Sequence, residues 1–314
     1  MKRGLISWDR SELPAEALDA RLTALHRRMA AFDVPAAVVY TDVWRSNDVR
    51  YLSNFMPYWN RAFAVVPKWE KPILLCALSP RVYPWIKSVT THETILASPS
   101  LPGQLAKLCT ERGWSKVGVV DVTALPNDLY TQLAAESFAI VDLPRSALRP
   151  APAPSEVAMH KRAAQLVRNV LDELLTRDAI GLSDYEFAGR LERKLRRAGA
   201  EDVVLLMSDG TTVPLPASGK SIGAGSSVNV SLEYNGHWAK LSRNIAGVSG
   251  PLTLVAGPKV HLENLSGSYG WEGLAERAGT QDSIVAVQVE IENSGQRLFY
   301  GETCLLGRGG LDIL

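Results

Sequence analysis

The sequence predicts two domains of different class, an α/β domain over residues 1–150 and an α+β domain over residues 151–314. Up to residue 142, short apolar or β-branched runs alternate with helical segments, the pattern of a sheet with helices on its faces. The stretch Arg149-Pro-Ala-Pro-Ala-Pro154 then interrupts the chain, and proline both stiffens a backbone and stops helices. Beyond it, two helices give way to strands and turns.

Residues 14–32 read as the first helix. Pro14 suits a first helical position, and Leu18, Leu22, Leu25, Met29 and Phe32 recur at helical spacing. Residues 36–40, 62–66, 72–77, 116–121 and 138–142 read as strands, and 81–87, 101–111 and 126–135 as helices. In the second domain residues 155–175 form a helix with Ser155 as N-cap. Ser183-Asp-Tyr-Glu186 fits a capping box that opens another helix, running to Arg197 and stopped by Gly199. Strands follow at 203–207, 227–234, 238–245, 284–291 and 297–306, and Asn235-Gly236 is a strong hairpin signal.

Composition narrows the function. With 46% hydrophobic and 21% charged residues and a formal net charge of +1, nothing calls for nucleic acid or an anionic membrane as partner. No uncharged run approaches membrane-spanning length, and the basic N-terminus has no apolar stretch after it. Cys76, Cys109 and Cys304 are odd in number and scattered, which suits reduced, buried thiols. The expectation is a soluble, cytoplasmic protein.

Several local patterns then occur in a telling order. They are Asn47-Asp-Val-Arg-Tyr51-Leu-Ser-Asn-Phe55, Pro154-Ser-Glu156, Gly181-Leu-Ser-Asp-Tyr-Glu186, Arg196-Arg-Ala-Gly-Ala200, and the hairpin from Asn229 to Arg243. Together, over roughly residues 15–245, they resemble the creatinase/aminopeptidase P/prolidase family. The resemblance implies a creatinase-like α/β N-terminal domain and a C-terminal pita-bread domain. It also implies a departure. Working members bind two divalent metals through a carboxylate-rich set, because several anionic ligands must offset the charge and activate a bridging water. Carried over, the two hairpin aspartates fall on Asn229 and Lys240, and the two late glutamates fall near Gln288 and Gly301. The histidine-bearing segment falls on Pro214-Leu215-Pro216, which also removes the general base a creatinase-type reaction would use. No metal and no other cofactor is expected. Residues 251–282 leave room for one short helix, near Trp271–Arg277, rather than a second helix pair. The pita-bread domain is therefore expected to be truncated in its second half, leaving an apolar sheet face to a partner chain.

The candidate site gathers hairpin and closing-strand residues. Glu233, His237, Lys240 and Glu302 are the candidate catalytic groups; Arg243, Arg297 and Tyr300 would bind a small zwitterionic or anionic ligand. The opposing reading makes all of them a solvated hairpin surface with a few ion pairs. Alternation is read as putting Glu233 and His237 on one face and Arg243 opposite His237. His261 is a weaker acid/base candidate, His26, His92 and His160 read as surface groups, and Cys304 as core. Trp44, Trp59 and Trp85 line either a groove, a dimer interface or ordinary packing. Three functions follow: a non-peptidase accessory or pseudoenzyme subunit, in a homodimer or a hetero-oligomer with a homologous chain; a metal-independent enzyme for a small amino- or guanidino-type substrate (C–N hydrolysis or elimination); or a small-molecule binding or sensing module.

Overall fold

A computed structural model describes residues 6–145, 148, 152–245, 259–265, 283–293 and 295–314. The chain divides into two compact units, over residues 2–150 and 151–314.

The first unit runs α1 (Ala15–Ala31), β1 (Ala36–Thr41), α2 (Asn47–Ser53), β2 (Ala62–Pro67), β3 (Ile73–Cys76), α3 (Tyr83–Val89), β4 (Thr94–Ala97), α4 (Leu101–Arg112), β5 (Lys116–Val120), α5 (Asn127–Ala134) and β6 (Ala139–Leu143). Its six strands lie in the order β4-β3-β2-β1-β5-β6. β2 runs antiparallel to β1 and β3, and the other pairings are parallel. Both faces of β1 are buried: Ala37 and Val39 pack with Leu25, Met29, Leu52 and Ile86, while Val38 and Tyr40 pack with Leu105, Leu108 and Leu129. Burial on both faces is why the strand reads as an unbroken apolar run. β4 escaped the sequence reading because it is a four-residue edge strand with no buried residue. The Tyr51–Phe55 motif closes α2, where Asn54 takes a left-handed backbone and its amide donates to the Val89 carbonyl at 2.9 Å.

Three histidines expected at the surface are buried. His26 stands 5.3 Å from the Trp69 ring, His92 packs edge-on to Phe55, and His160 lies in the second unit. Burial lowers the pKa of His92 to about 4, so it stays neutral, with Nδ1 donating to the Pro72 carbonyl. Trp44 and Trp59 are the reverse: 64% and 56% exposed, neither is packed in the core of its unit, whereas Trp85 packs on the first core.

The second unit runs α6 (Pro154–Leu174), α7 (Asp184–Arg197), β7 (Asp202–Ser208), β8 (Ser227–Tyr234), β9 (His237–Asn244), β10 (Lys259–Asn264), β11 (Ser283–Asn293), β12 (Gln296–Gly307) and β13 (Gly310–Ile313). The strands are ordered β10-β11-β12-β9-β8-β7, with β13 also paired to β12. α6 starts at Pro154, one residue before the expected cap, because the Glu156 carboxylate accepts from the Ala153 N–H at 3.0 Å and proline fits the first turn. Ser183 caps α7, accepting from the Glu186 N–H at 3.1 Å. Asn235 and Gly236 both have positive φ, as a two-residue hairpin turn requires.

Alternation along the hairpin then sorts its side chains. Val228, Val230, Leu232, Ala239 and Leu241 face Val167, Leu171, Phe187, Leu191 and Leu195 of the helices. Asn229, Ser231, Glu233, Trp238, Lys240 and Ser242 take the opposite face. Among the described residues no helix follows α7. The helix expected near residues 271–277 lies outside the described residues, as do 246–258 and 266–282 entire. No helix among the described residues is long and apolar enough to cross a membrane.

Candidate functional site

The ligand positions carried over by resemblance converge in space. Asn229 on β8 pairs with Ser242 on β9, Ser242 with Gly301 on β12, Gly301 with Gln288 on β11, and Gln288 with His261 on β10. A single cross-strand row thus contains Asn229, Gly301 and Gln288, and Lys240 sits two residues along β9 on the same face. His261, read from the sequence as part of a loop, joins this row because β10 is a strand. β10 was illegible because its burial is slight: Val260 and Leu262 are exposed.

The charges on this face are already paired. The Lys240 ammonium donates to Glu263 Oε2. The Lys240 backbone N–H donates to the Thr303 hydroxyl at 2.9 Å, which donates in turn to the Lys240 carbonyl at 3.0 Å, tying β9 to β12. Glu290 is buried and accepts from Arg297 Nε at 2.9 Å, with Lys259 Nζ at 3.8 Å and His261 Nε2 at 3.9 Å. The Arg297 hydrogen bonds hold the Glu290 carboxyl below its ordinary value, against the opposing effect of burial. At Gly301 a side chain would be crowded: a Cβ would stand 3.0 Å from Ser242 Oγ and 3.1 Å from the Val287 carbonyl oxygen.

The other face holds a second charged group. Arg243 donates to Glu302, to the Ser242 carbonyl at 2.9 Å and to the Gly301 carbonyl at 2.8 Å, and its guanidinium lies 4.6 Å over the Tyr300 ring. Tyr300 donates to Glu302 Oε1 at 3.0 Å, and Arg168 of α6 donates to Glu302 Oε2 at 3.0 Å. Burial raises the Tyr300 pKa, opposed by Arg243 and reinforced by Glu302. Further along, His237 packs edge-on to His160 at 5.1 Å. Each ring's Nδ1 faces a backbone carbonyl at 2.7 Å, Asn235 and Trp238 respectively, so each Nδ1 carries its proton.

Of the seven sequence-predicted residues, Arg243, Tyr300 and Glu302 meet in one group, and Lys240 and Arg297 lie on the other face of the sheet. The expected placing of Glu233 with His237 is corrected. The two-residue turn pairs Glu233 with Trp238 and Tyr234 with His237, so Glu233 and His237 face opposite ways, whereas His237 and Arg243, six residues apart, share a face. The four candidate catalytic groups therefore do not converge on one substrate. Sequence reasoning missed Arg168, Glu263 and His160. Arg168 stands four residues after Ala164 on the helix stripe facing the sheet, a position at which a charge signals a buried partner.

The segment Pro214-Leu215-Pro216 lies in the loop after β7, where Leu215 makes paired backbone hydrogen bonds with Met207. Asp184 accepts from the backbone N–H groups of Ser218 and Gly219 at 2.9 and 2.7 Å, which folds this loop over the Asp184 carboxylate. Burial raises the Cys304 pKa, as for a core thiol. Among the described residues no group of three or more His, Cys, Asp or Glu side chains could hold a metal ion.

No family model and no curated protein matches the sequence. Solved structures do match. The Xaa-Pro dipeptidase from Bacillus anthracis aligns with a TM-score of 0.73 at 16% identity, over 94% of this chain and 97% of that one. The X-Pro aminopeptidase from Thermotoga maritima gives 0.74 at 14% identity, over 93% and 96%. The prolidase from Pyrococcus horikoshii gives 0.72 at 13% identity, over 94% and 97%. At such identities the likeness establishes the fold alone: an α/β domain and a second, sheet-based domain, each of the kind found in prolidases and X-Pro aminopeptidases.

Proposed function

We propose that this chain is a pita-bread protein that works without metal, as a non-peptidase accessory or pseudoenzyme subunit of an oligomer. One observation carries the reading: Lys240 places an ammonium, held by Glu263, on the face where the resemblance would put a metal-binding aspartate. A dication beside it would meet a fixed positive charge about 4–6 Å away, the range over which like charges dominate. The remaining donors do not fit a metal pair either. Asn229 and Gln288 are uncharged, Glu290 is already paired with Arg297, and Gly301 offers no side chain at all. Two hard cations would find one amide-rich row where they need several carboxylates.

The oligomer rests on the far part of the second sheet. Val260 and Leu262 on β10 and Leu311 and Ile313 on β13 are 42% to 63% exposed among the described residues, two apolar pairs that an interaction surface would cover. A second copy, or a homologous chain, would cover that surface. The reduced, buried thiols suit a cytoplasmic setting.

Two measurements test this. Purified protein assayed against Xaa-Pro dipeptides with added manganese, cobalt or zinc is expected to show no turnover above buffer. Light scattering behind a sizing column is expected to give a dimer or larger. Metal-stimulated dipeptide hydrolysis abolished by Gln288→Ala would sink the first half of the reading, and a strict monomer that also ignores a co-expressed homologue would sink the second.

A further inference from the structure

In the first unit, the turn between β2 and β3 rests on two buried histidines. It runs from Pro67 to Pro72, and the Glu70 N–H donates to the Pro67 carbonyl at 3.2 Å. Trp69 stands in it at φ 65°, a left-handed conformation that a bulky side chain rarely takes. The Trp69 side chain is 63% exposed, yet its ring lies 5.3 Å from the buried His26 ring. Strain of this kind persists where neighbouring groups enforce it, and His26 is such a neighbour. At the other end of the turn, His92 Nδ1 donates to the Pro72 carbonyl at 3.1 Å, and Phe55 packs edge-on to its ring.

Neither ring has a place for a second proton. His26 Nε2 and His92 Nε2 are buried, and neither has a hydrogen-bond partner among the described residues. Protonation there would create a buried cation with no acceptor. No carboxylate of the surrounding segments compensates. Lys68, Glu70 and Lys71 of the turn are exposed, with Glu70 paired to Arg112 and Lys71 to Asp19. Arg27 and Arg28 on α1 and Glu93 beside His92 are exposed as well. Burial disfavours the charged form of each ring and outweighs the Pro67 and Pro72 carbonyls, which favour it.

We infer that this turn is an acid-sensitive latch: a proton taken up at His26 or His92 releases Trp69 and the Pro67–Pro72 turn ahead of any wider opening. The strands behind it stay in place, because β2 is buried and paired on both sides, with β1 and with β3. Linkage sets the pH window. An unburied histidine has a pKa of 6.5, and that of His92 in place is about 4. The latch is therefore fully stable above about 6.5 and weakens as pH falls, the loss levelling off below about 4. Across that window His92 alone raises the open fraction about tenfold per pH unit.

Hydrogen exchange of the full chain from about pH 7 to about pH 5, corrected for intrinsic exchange rates, tests the latch. The Lys68 and Glu70 N–H groups, bonded to the Pro35 and Pro67 carbonyls, report on the turn. Their protection is expected to fall at least about tenfold per pH unit, while the β1–β5 pairing keeps its own. Asparagine carries an amide donor close to the position of Nδ1 and does not titrate. The double variant His26→Asn, His92→Asn is therefore expected to hold the protection level across the same range. If that variant does not fold, judged by circular dichroism, the wild-type profile decides alone. Turn protection indifferent to pH, a loss shared equally by β1 and β5, or an acid loss that survives both substitutions overturns the proposal.

Discussion

The two faces of the β8–β9 hairpin share one backbone and follow different rules. On the helix side Val228, Val230, Leu232, Ala239 and Leu241 are buried against α6 and α7, and each is an ordinary apolar residue. On the other side Asn229, Ser231, Lys240 and Ser242 interleave with them, small or charged, with polar atoms left unpaired. Period-two alternation lets one face keep the fold while the other changes chemistry. The helix-facing side can therefore keep its apolar residues whatever the opposite face carries, here an amide at Asn229 and an ammonium at Lys240.

The sharpest way to break this contrast is to exchange the costs of the two faces. Leu241→Ala is expected to lower stability by about 2–5 kcal/mol, the transfer and cavity cost of a buried leucine, read from urea denaturation. Asn229→Ala on the other face should change it by less than about 1 kcal/mol, because its acceptor has no bond to lose. Equal losses would erase the distinction. Next in size is Gly301→Glu, the change that would restore a carried-over ligand. Ser242 Oγ and the Val287 carbonyl stand in its way, so it is expected to cost about 1–3 kcal/mol of overpacking and to confer no metal binding.

Lys240→Ala comes third. It strips Glu263 of its partner in a half-buried setting and is expected to cost about 1–2 kcal/mol, partly recovered by adding Glu263→Gln. A double variant no better than the single one would mean the pair contributes nothing. The smallest effect is a pH effect. Arg297 holds the Glu290 carboxyl below its ordinary value of 4.5, so its contribution is complete above that pH and is lost as pH falls through the lower folded value. Arg297→Gln should flatten the acid limb of the stability profile; an unchanged limb would remove Glu290 from the account.

Much of the fold was legible because burial and pattern agree. The doubly buried β1 and the Asn235-Gly236 turn each follow from local chemistry. What escaped was weakly buried or long-range. β4 and β10 are edge strands whose exposed residues imitate loops. The pairing of Lys240 with Glu263, across two intervening strands, has no trace in local sequence. The facing of Glu233 was misjudged because hairpin register, not separation along one strand, decides it. The carried-over positions Asn229, Gln288 and Gly301 fall in one cross-strand row, a long-range register that local patterns do not state.

The central claim is that fixed side-chain charge has replaced bound dications. Titration calorimetry of chelator-treated protein with manganese and cobalt, followed by elemental analysis after gel filtration, tests it most directly. The account predicts no binding heat attributable to a site and less than a tenth of an ion per chain, on the order of adventitious contamination, since no described cluster could hold one. Two ions per chain, retained through gel filtration and lost in Asn229→Leu, would contradict it.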